Sequence, residues 1–315
     1  MLSVIIPTYN RKNLLPLVLD AFARQTQLPR TYEIIFIDDG SDDGTREFIQ
    51  NFRNLTELQV RYFFQNNKGP AAARNLGIKE AKYELLLFIN DDTIPAEDLI
   101  ERHVSCHERW SAENIAVLGQ AVWARGISVP VYAKHYLVSE FKKLNVLKEA
   151  RSIDFITCNI SVKKRFVLNN GLFDEDFPYA AHEDRELGHR LGKKGLRIKY
   201  VPKALVYHYH LFQSLDVVLK HSKRLGQALA IWETKIPDEK YLLYEFDLPD
   251  YSSSLKAAKE SVKGLFFNSK ALPLWLWVIS KLKNDESFTY YLYRHIMGQA
   301  HRKGYLYQKK VMKAR

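Results

Sequence analysis

Two adjacent carboxylates, Asp91 and Asp92, stand directly after the unbroken apolar run Leu85-Leu86-Leu87-Phe88-Ile89. Such a run fits a strand buried on both faces, and in open α/β sheets ligands gather outside the carboxyl ends of strands. Hard carboxylate oxygens there could hold a divalent cation that neutralises a diphosphate. Two isolated acids more often open a turn or cap a helix, so the other strand ends decide between the readings. A second pair, Asp38-Asp39, closes the run Glu33-Ile34-Ile35-Phe36-Ile37, and Pro7-Thr8-Tyr9-Asn10 closes Ser3-Val4-Ile5-Ile6. Consecutive parallel strands share one edge, so these three sets of polar groups are expected to meet. Further along, Glu183 and Asp184 open a segment in which Leu187 and Leu191 have helical spacing. Capping would explain one of those acids but not both. His208 and His210 end another strand-like run, and alternation puts both on one face.

The elements that must position these groups follow a repeating pattern. After the first strand comes a helix whose apolar face is Leu14, Leu15, Val18, Leu19, Ala21, Phe22 and Ala23. After the second comes a helix over residues 45–52, capped by Asp42 or Asp43. A third strand covers residues 59–64, the loop Asn66-Asn67-Lys68-Gly69-Pro70 leads into a helix over residues 71–81, and the strand ending at Asp91-Asp92 is fourth. This is the opening of a nucleotide-binding α/β half-domain with a mostly parallel sheet. The pattern then predicts a helix over 96–109, a strand near 115–122, helix and loop within 125–150, a strand-like stretch over 153–164 and a strand over 199–210. A helix carrying Leu215, Val218, Leu219, Leu225 and Ala228 follows.

Ser3-Val4-Ile5-Ile6-Pro7-Thr8-Tyr9-Asn10, Ile37-Asp38-Asp39-Gly40-Ser41, Gly69-Pro70-Ala71-Ala72-Ala73-Arg74-Asn75-Leu76-Gly77 and Asn90-Asp91-Asp92 together resemble the nucleotide-sugar half of an inverting family 2 glycosyltransferase with the GT-A fold. The resemblance covers residues 1–237, with a nucleotide-sugar half over 1–95 and an acceptor half over 96–237. It implies that Pro7, Thr8, Tyr9 and Asp39 hold the base and ribose, with Asn10 and Gly69 in the same donor set. It also implies that Arg74 lies near the phosphates and Asp91 near the ribose. Asp92, helped by His208 with His210 in reserve, would bind Mn²⁺ or Mg²⁺ across the diphosphate. Glu183-Asp184 resembles the family's acceptor-side acidic motif, with Asp184 as the base that deprotonates the acceptor hydroxyl. One departure stands out: Asn90 occupies a position where many members carry an acid, which weakens the expected grip on metal. The implied donor is a nucleotide sugar, foremost a UDP-sugar, and the implied acceptor a glycan or lipid-linked glycan in polysaccharide biosynthesis.

Other classes fit less well. A dehydrogenase or a sugar nucleotidyltransferase wants glycines in the first loop, and Pro7-Thr8-Tyr9-Asn10-Arg11-Lys12 has none. A catalytically inert nucleotide-sugar binder or a membrane-associated assembly protein on the same fold is the alternative. The net charge of +11 over 315 residues is concentrated after Tyr251, where thirteen Lys and Arg face three acids. This basic, aromatic extension over 238–315 reads as helical. It could bind an anionic membrane surface through Leu265-Phe266-Phe267 and Trp275-Leu276-Trp277, or pack as a cap on the catalytic domain. No nucleic-acid motif accompanies the charge, so no nucleic-acid partner is expected. The two cysteines, Cys106 and Cys158, form no disulfide framework, and the first residues read as a strand rather than a signal peptide. The expected location is the cytoplasm, peripheral to the inner face of the cell membrane where the tail binds lipid.

Overall fold

The computed structural model describes residues 1–147, 149–209, 214–246, 262–268, 270–282 and 286–314, with the side chains of 134–140, 240, 241, 244 and 245 left undescribed. Two compact units are present, one comprising residues 1–127 and 137–210 and the other residues 128–136 and 211–315.

The first unit is built on an eight-stranded sheet ordered β3-β2-β1-β4-β7-β6-β8-β5. β1 (Leu2–Thr8), β2 (Tyr32–Asp38), β3 (Gln59–Phe64) and β4 (Leu85–Ile89) are mutually parallel. Every residue of β2 and β4 is buried, as expected of apolar runs covered on both faces, whereas β3 at the sheet edge is only partly covered. The connecting helices are α1 (Leu15–Ala23), α2 (Thr45–Arg53) and α3 (Pro70–Glu80). α3 lies close on the sheet because its inner positions are small: a Cβ on Gly77 would meet Ile5 Cγ2 at 2.5 Å. Pro70 begins it without wasting an N–H, and Gly69 before it adopts φ 91°, ψ 167°, a conformation reserved for glycine.

The second half of the sheet is mixed. β7 (Asn159–Lys163) runs antiparallel to both β4 and β6 (Ile115–Trp123), and β8 (Arg197–His208) is parallel to β6. β5 (Thr93–Pro95), which the sequence pattern did not predict, pairs antiparallel with the end of β8. The Ala96 N–H still donates to the Leu205 carbonyl at 3.0 Å and residues 97 and 98 form a turn, so α4 runs from Leu99 to Arg109 rather than from 96. Between Gly119 and Gln120 the β6–β8 register jumps from Val201 to Leu205, a bulge in β8 around Pro202, which has no N–H to give the ladder. The bulge returns β8 to register so that His208 lies opposite both Thr93 and Trp123.

Other departures from the pattern have local causes. Gly44, at φ 84°, precedes α2 in the capping position, while Asp43 Oδ1 accepts from the Thr45 N–H at 3.0 Å and the Thr45 hydroxyl at 2.6 Å. The stretch expected as strand over 153–164 is extended only from Asn159. Before it come a helical turn, Ser152–Asp154, and a bend that carries Thr157. α5 (Lys134–Leu147), α6 (Lys164–Asn170) and α7 (Glu183–Lys193) complete the helices before β8.

The second unit contains α8 (Leu215–Lys235), α9 (Leu272–Lys281) and α10 (Glu286–Lys313). α8 and α10 cross at glycine: a Cβ on Gly226 would run into the His301 carbonyl oxygen, and one on Gly304 into that of Lys223. Glu233 ties the same pair, accepting from Tyr305 Oη and Lys309 Nζ at 2.8 Å each. α8 and α10 pack on each other within this unit, whose longer segment begins at residue 211.

Candidate active site

The carboxyl ends of β1 and β2 are laced together. The Asp39 N–H donates to the Thr8 carbonyl at 2.9 Å, the Asn10 N–H donates to Ser41 Oγ at 2.9 Å, and Asn10 Oδ1 accepts from the Asp42 N–H at 2.9 Å. Asn10 does this from φ 53°, a left-handed conformation that asparagine tolerates. Asp38 and Asp39 have separated in role. Asp38 is fully buried and accepts from the Ser41 N–H at 2.8 Å and Tyr62 Oη at 2.7 Å. Asp39 Oδ1 accepts from Gln65 Nε2 at 2.7 Å and the Lys68 N–H at 2.8 Å, while Oδ2 accepts from the Gly69 N–H at 2.9 Å. A carboxylate has about four lone-pair sites, so one on Oδ2 is left for another donor. Pro7 and Thr8 lie within β1, opposite Ile37 and Asp38, and Tyr9 is half exposed at the lip of the loop.

At the exit of β4, desolvation and then the charge of Asp92 push the Asp91 pKa up to about 7, against the opposing pull of Arg11, the Thr8 hydroxyl and the Tyr9 N–H. Those neighbours place Asp91 beside the β1 loop. Asp92 is 7% exposed, and its Oδ1 lies 3.8 Å from His208 Nε2. The imidazole is held edge-on to Trp123 with ring centroids 5.5 Å apart, and the Asp92 carbonyl accepts from the Tyr209 N–H at 2.7 Å. The two expected metal ligands are therefore together, one from each side of the sheet's β5–β8 corner. His210 lies outside the described residues. Among the described residues no group of three or more His, Cys, Asp or Glu side chains could hold a metal on its own.

The third part is the amino end of α7, entered through His182 at φ 63°. Asp184 is partly exposed, and its Oδ2 accepts from the Thr157 N–H at 3.1 Å and the Thr157 hydroxyl at 3.3 Å. Glu183 has a different setting. Its Oε1 accepts from Arg74 Nη1 at 2.7 Å and its Oε2 from the Ala181 N–H at 2.6 Å, with Arg74 and Glu183 each 3% exposed. Burial pushes the Glu183 pKa up, and the Arg74 charge opposes that shift. Arg74 also reaches Asn90 Oδ1 at 3.4 Å and lies 5.5 Å from the Phe173 ring centroid. Through Glu183, Asn90 and Phe173 it bridges the β4 exit to α7. Asn75 makes a parallel tie, donating to the Phe173 carbonyl at 2.9 Å and to Glu175 Oε1 at 2.8 Å.

Sequence reasoning missed Thr157, which orients Asp184 from within a bend that no periodicity marks. It also missed a buried polar cluster behind the sheet. His103 Nδ1 lies 2.7 Å from Ser161 Oγ and its Nε2 3.0 Å from Asn159 Oδ1, while His107 Nε2 lies 2.9 Å from the same Ser161 hydroxyl. The signals were present: two histidines one helical turn apart, and Asn159 and Ser161 at strand alternation.

An α/β sheet with polar loops at three parallel strand exits, two of them acidic, completed by a mixed half carrying an acidic helix start, defines the nucleotide-sugar transferase class with the GT-A fold. Solved structures of that fold agree. The mannosyltransferase PcManGT from Pyrobaculum calidifontis, in complex with GDP-Man and Mn²⁺, aligns with a TM-score of 0.67 at 19% identity over 98% of this chain and 87% of that one. S. aureus TarS 1-349 in complex with UDP aligns at 0.57 and 17% identity over 100% of this chain and 92% of that one. The model of "Glycosyl transferase family 2" matches residues 3–171, and the chain belongs to that family. Among relatives, a validoxylamine A glucosyltransferase of Streptomyces hygroscopicus subsp. limoneus is 31% identical over 62% of this chain and 49% of its own. A chondroitin synthase of Escherichia coli is 25% identical over 66% of this chain and 34% of its own. The chain thus spans about half or less of the length of these relatives.

Proposed function

We propose that the protein transfers a sugar from a nucleoside-diphosphate sugar, with UDP as the nucleotide, to the hydroxyl of a glycan or lipid-linked glycan, inverting the anomeric centre. The single observation that carries this reading is the approach of Asp92 Oδ1 to His208 Nε2, 3.8 Å, at the exit of β4. Family membership and the neighbours' nucleotide-sugar and Mn²⁺ complexes support it.

One buried carboxylate and one imidazole nitrogen form an incomplete donor set. It suits a divalent ion that takes its other ligands from diphosphate oxygens and water, and the imidazole favours Mn²⁺ over Mg²⁺. When bound, such an ion would neutralise charge developing on the leaving diphosphate. The chain's own residues do the rest. Asp39, with three acceptor sites already fixing the 65–69 loop, offers its remaining Oδ2 lone pair to a base N–H. Half-exposed Tyr9 lies against the base, and Asn10 and Gly69 shape the loops around it. Asp91 accepts from the ribose. Asp184, aimed by Thr157, takes the proton from the acceptor hydroxyl as it attacks in line, with closeness and exclusion of water compensating for a weak base. Arg74 and Glu183 act together as positioning residues that fix the start of α7, and so Asp184, relative to β4. A cytoplasmic location fits this use of soluble donor.

Thermal unfolding of the full chain with a panel of nucleotide sugars, with and without Mn²⁺, tests the reading. A donor at about 100 times its dissociation constant raises stability by about 2.7 kcal/mol. The Mn²⁺-dependent part of that shift should vanish in Asp92→Ala. Equal Mn²⁺-dependent stabilisation in Asp92→Ala would remove the metal assignment.

A further inference from the structure

Leu272-Pro273-Leu274-Trp275-Leu276-Trp277-Val278-Ile279 makes α9 apolar around its whole circumference, and helices of that kind are ordinarily buried. No residue of α9 is buried. One side is accounted for within the unit: Trp275 stacks on Phe267 with ring centroids 4.8 Å apart, and its indole N–H donates to the Phe266 carbonyl at 2.6 Å. The other side is open. Pro273, Leu274, Leu276, Trp277, Ser280 and Lys281 are all exposed, and at 3.6 residues per turn they fall within an arc of roughly 160°. Leu274 and Trp277 are 58% and 60% exposed, and at the adjoining tip Leu265 and Phe266 are 73% and 60% exposed.

Charge identifies what covers this face. Lys270 and Lys281, both exposed, stand at the two ends of α9, and Lys281 Nζ lies 5.9 Å from the Trp277 ring centroid. The chain from Tyr251 onward carries thirteen basic against three acidic side chains. Two copies meeting through this face would bring like charge together, whereas an anionic surface neutralises it. Indole rings and lysines are also the side chains that settle at the boundary between headgroups and acyl chains. Ten residues of helix reach only about 15 Å, half of a hydrocarbon core, and no described helix is long and apolar enough to cross a membrane. We propose that the open face of α9, with the Leu265-Phe266 tip, docks flat on an anionic lipid surface, its apolar side chains entering the headgroup boundary while Lys270 and Lys281 pair with lipid phosphates. The proposal does not depend on the donor chemistry.

Co-sedimentation of the full chain with phosphatidylcholine vesicles, with and without phosphatidylglycerol, tests it. The chain should bind the anionic vesicles, release them as salt is raised, and bind the neutral ones weakly. Leu274→Ser/Trp277→Ser should weaken binding by at least about tenfold. Lys270→Glu and Lys281→Glu should each weaken it by roughly fivefold. All variants should keep the wild-type circular dichroism spectrum and donor-induced thermal shift, so that lost docking is separated from lost folding and from failure of the donor assignment. The proposal is overturned by equal binding to neutral vesicles, by no binding, or by unchanged binding of Leu274→Ser/Trp277→Ser. If that variant instead converts a dimer to a monomer with vesicle binding intact, the face is a contact between copies and the lipid assignment fails.

Discussion

Arg74 and Glu183 lie 109 residues apart in sequence and form a buried ion pair at 2.7 Å. A pair this deep gives little net stability over apolar side chains of similar volume, but losing one partner strands the other's charge, at about 3–5 kcal/mol. Glu183 has a partial escape, because burial already raises its pKa and it can take up a proton; Arg74 has none. Urea unfolding should therefore show Glu183→Leu as the most damaging change, Arg74→Met as less so, and Arg74→Met/Glu183→Leu as markedly less destabilised than the sum of the singles. Strict additivity would mean that the pair is not coupled. The sequence leads to the expectation that both residues belong to the site but does not pair them. The family resemblance implies a phosphate contact for Arg74, and nothing local shows that a glutamate from the other half of the unit takes that guanidinium. Asp92 differs, because polar groups recurring at several strand ends single it out where its own position after one apolar run would not.

Among the elements, β3 and β4 run over the residues the pattern predicts, 59–64 and 85–89, because unbroken apolar or alternating runs end abruptly at polar loops. The second half was less legible. β5 has three residues and exists only because β8, after its bulge, presents a partner; no three-residue window carries that information. The His103–His107–Ser161–Asn159 cluster is equally non-local, joining α4 to β7. Its titration gives a test. Burial holds both imidazoles near a pKa of about 4, well below the free value of 6.5, with the Lys163 charge adding to the effect at His107. Depressed histidines stay neutral in the folded chain while the unfolded chain takes up protons. Their contribution is therefore whole above pH 6.5 and is lost as pH falls toward 4, by about 2 kcal/mol per ring at pH 5. The loss of urea stability between pH 7.5 and pH 5 should be smaller in His103→Gln/His107→Gln than in wild type. The same loss in both proteins would contradict the assignment of these rings as neutral and buried.

For the whole molecule, the two compact units carry different kinds of information. The first holds most of residues 3–171, the span the family model matches, and the motifs that announced it lie at strand exits whose geometry the parallel sheet imposes. The second contains no such motif, and its α8–α10 packing rests on Gly226 and Gly304, two unremarkable glycines until two backbones are seen to meet there. The family sets the class of chemistry; Asp92, His208 and Asp184 carry the claim that this chain performs it. The most direct measurement is acceptor-dependent consumption of nucleotide sugar by Asp184→Asn, taken alongside the donor-induced thermal shift of the same variant with Mn²⁺. The account predicts a full thermal shift with transfer reduced by about a hundredfold or more, the loss expected when a general base is removed. Transfer at the wild-type rate in Asp184→Asn would contradict it.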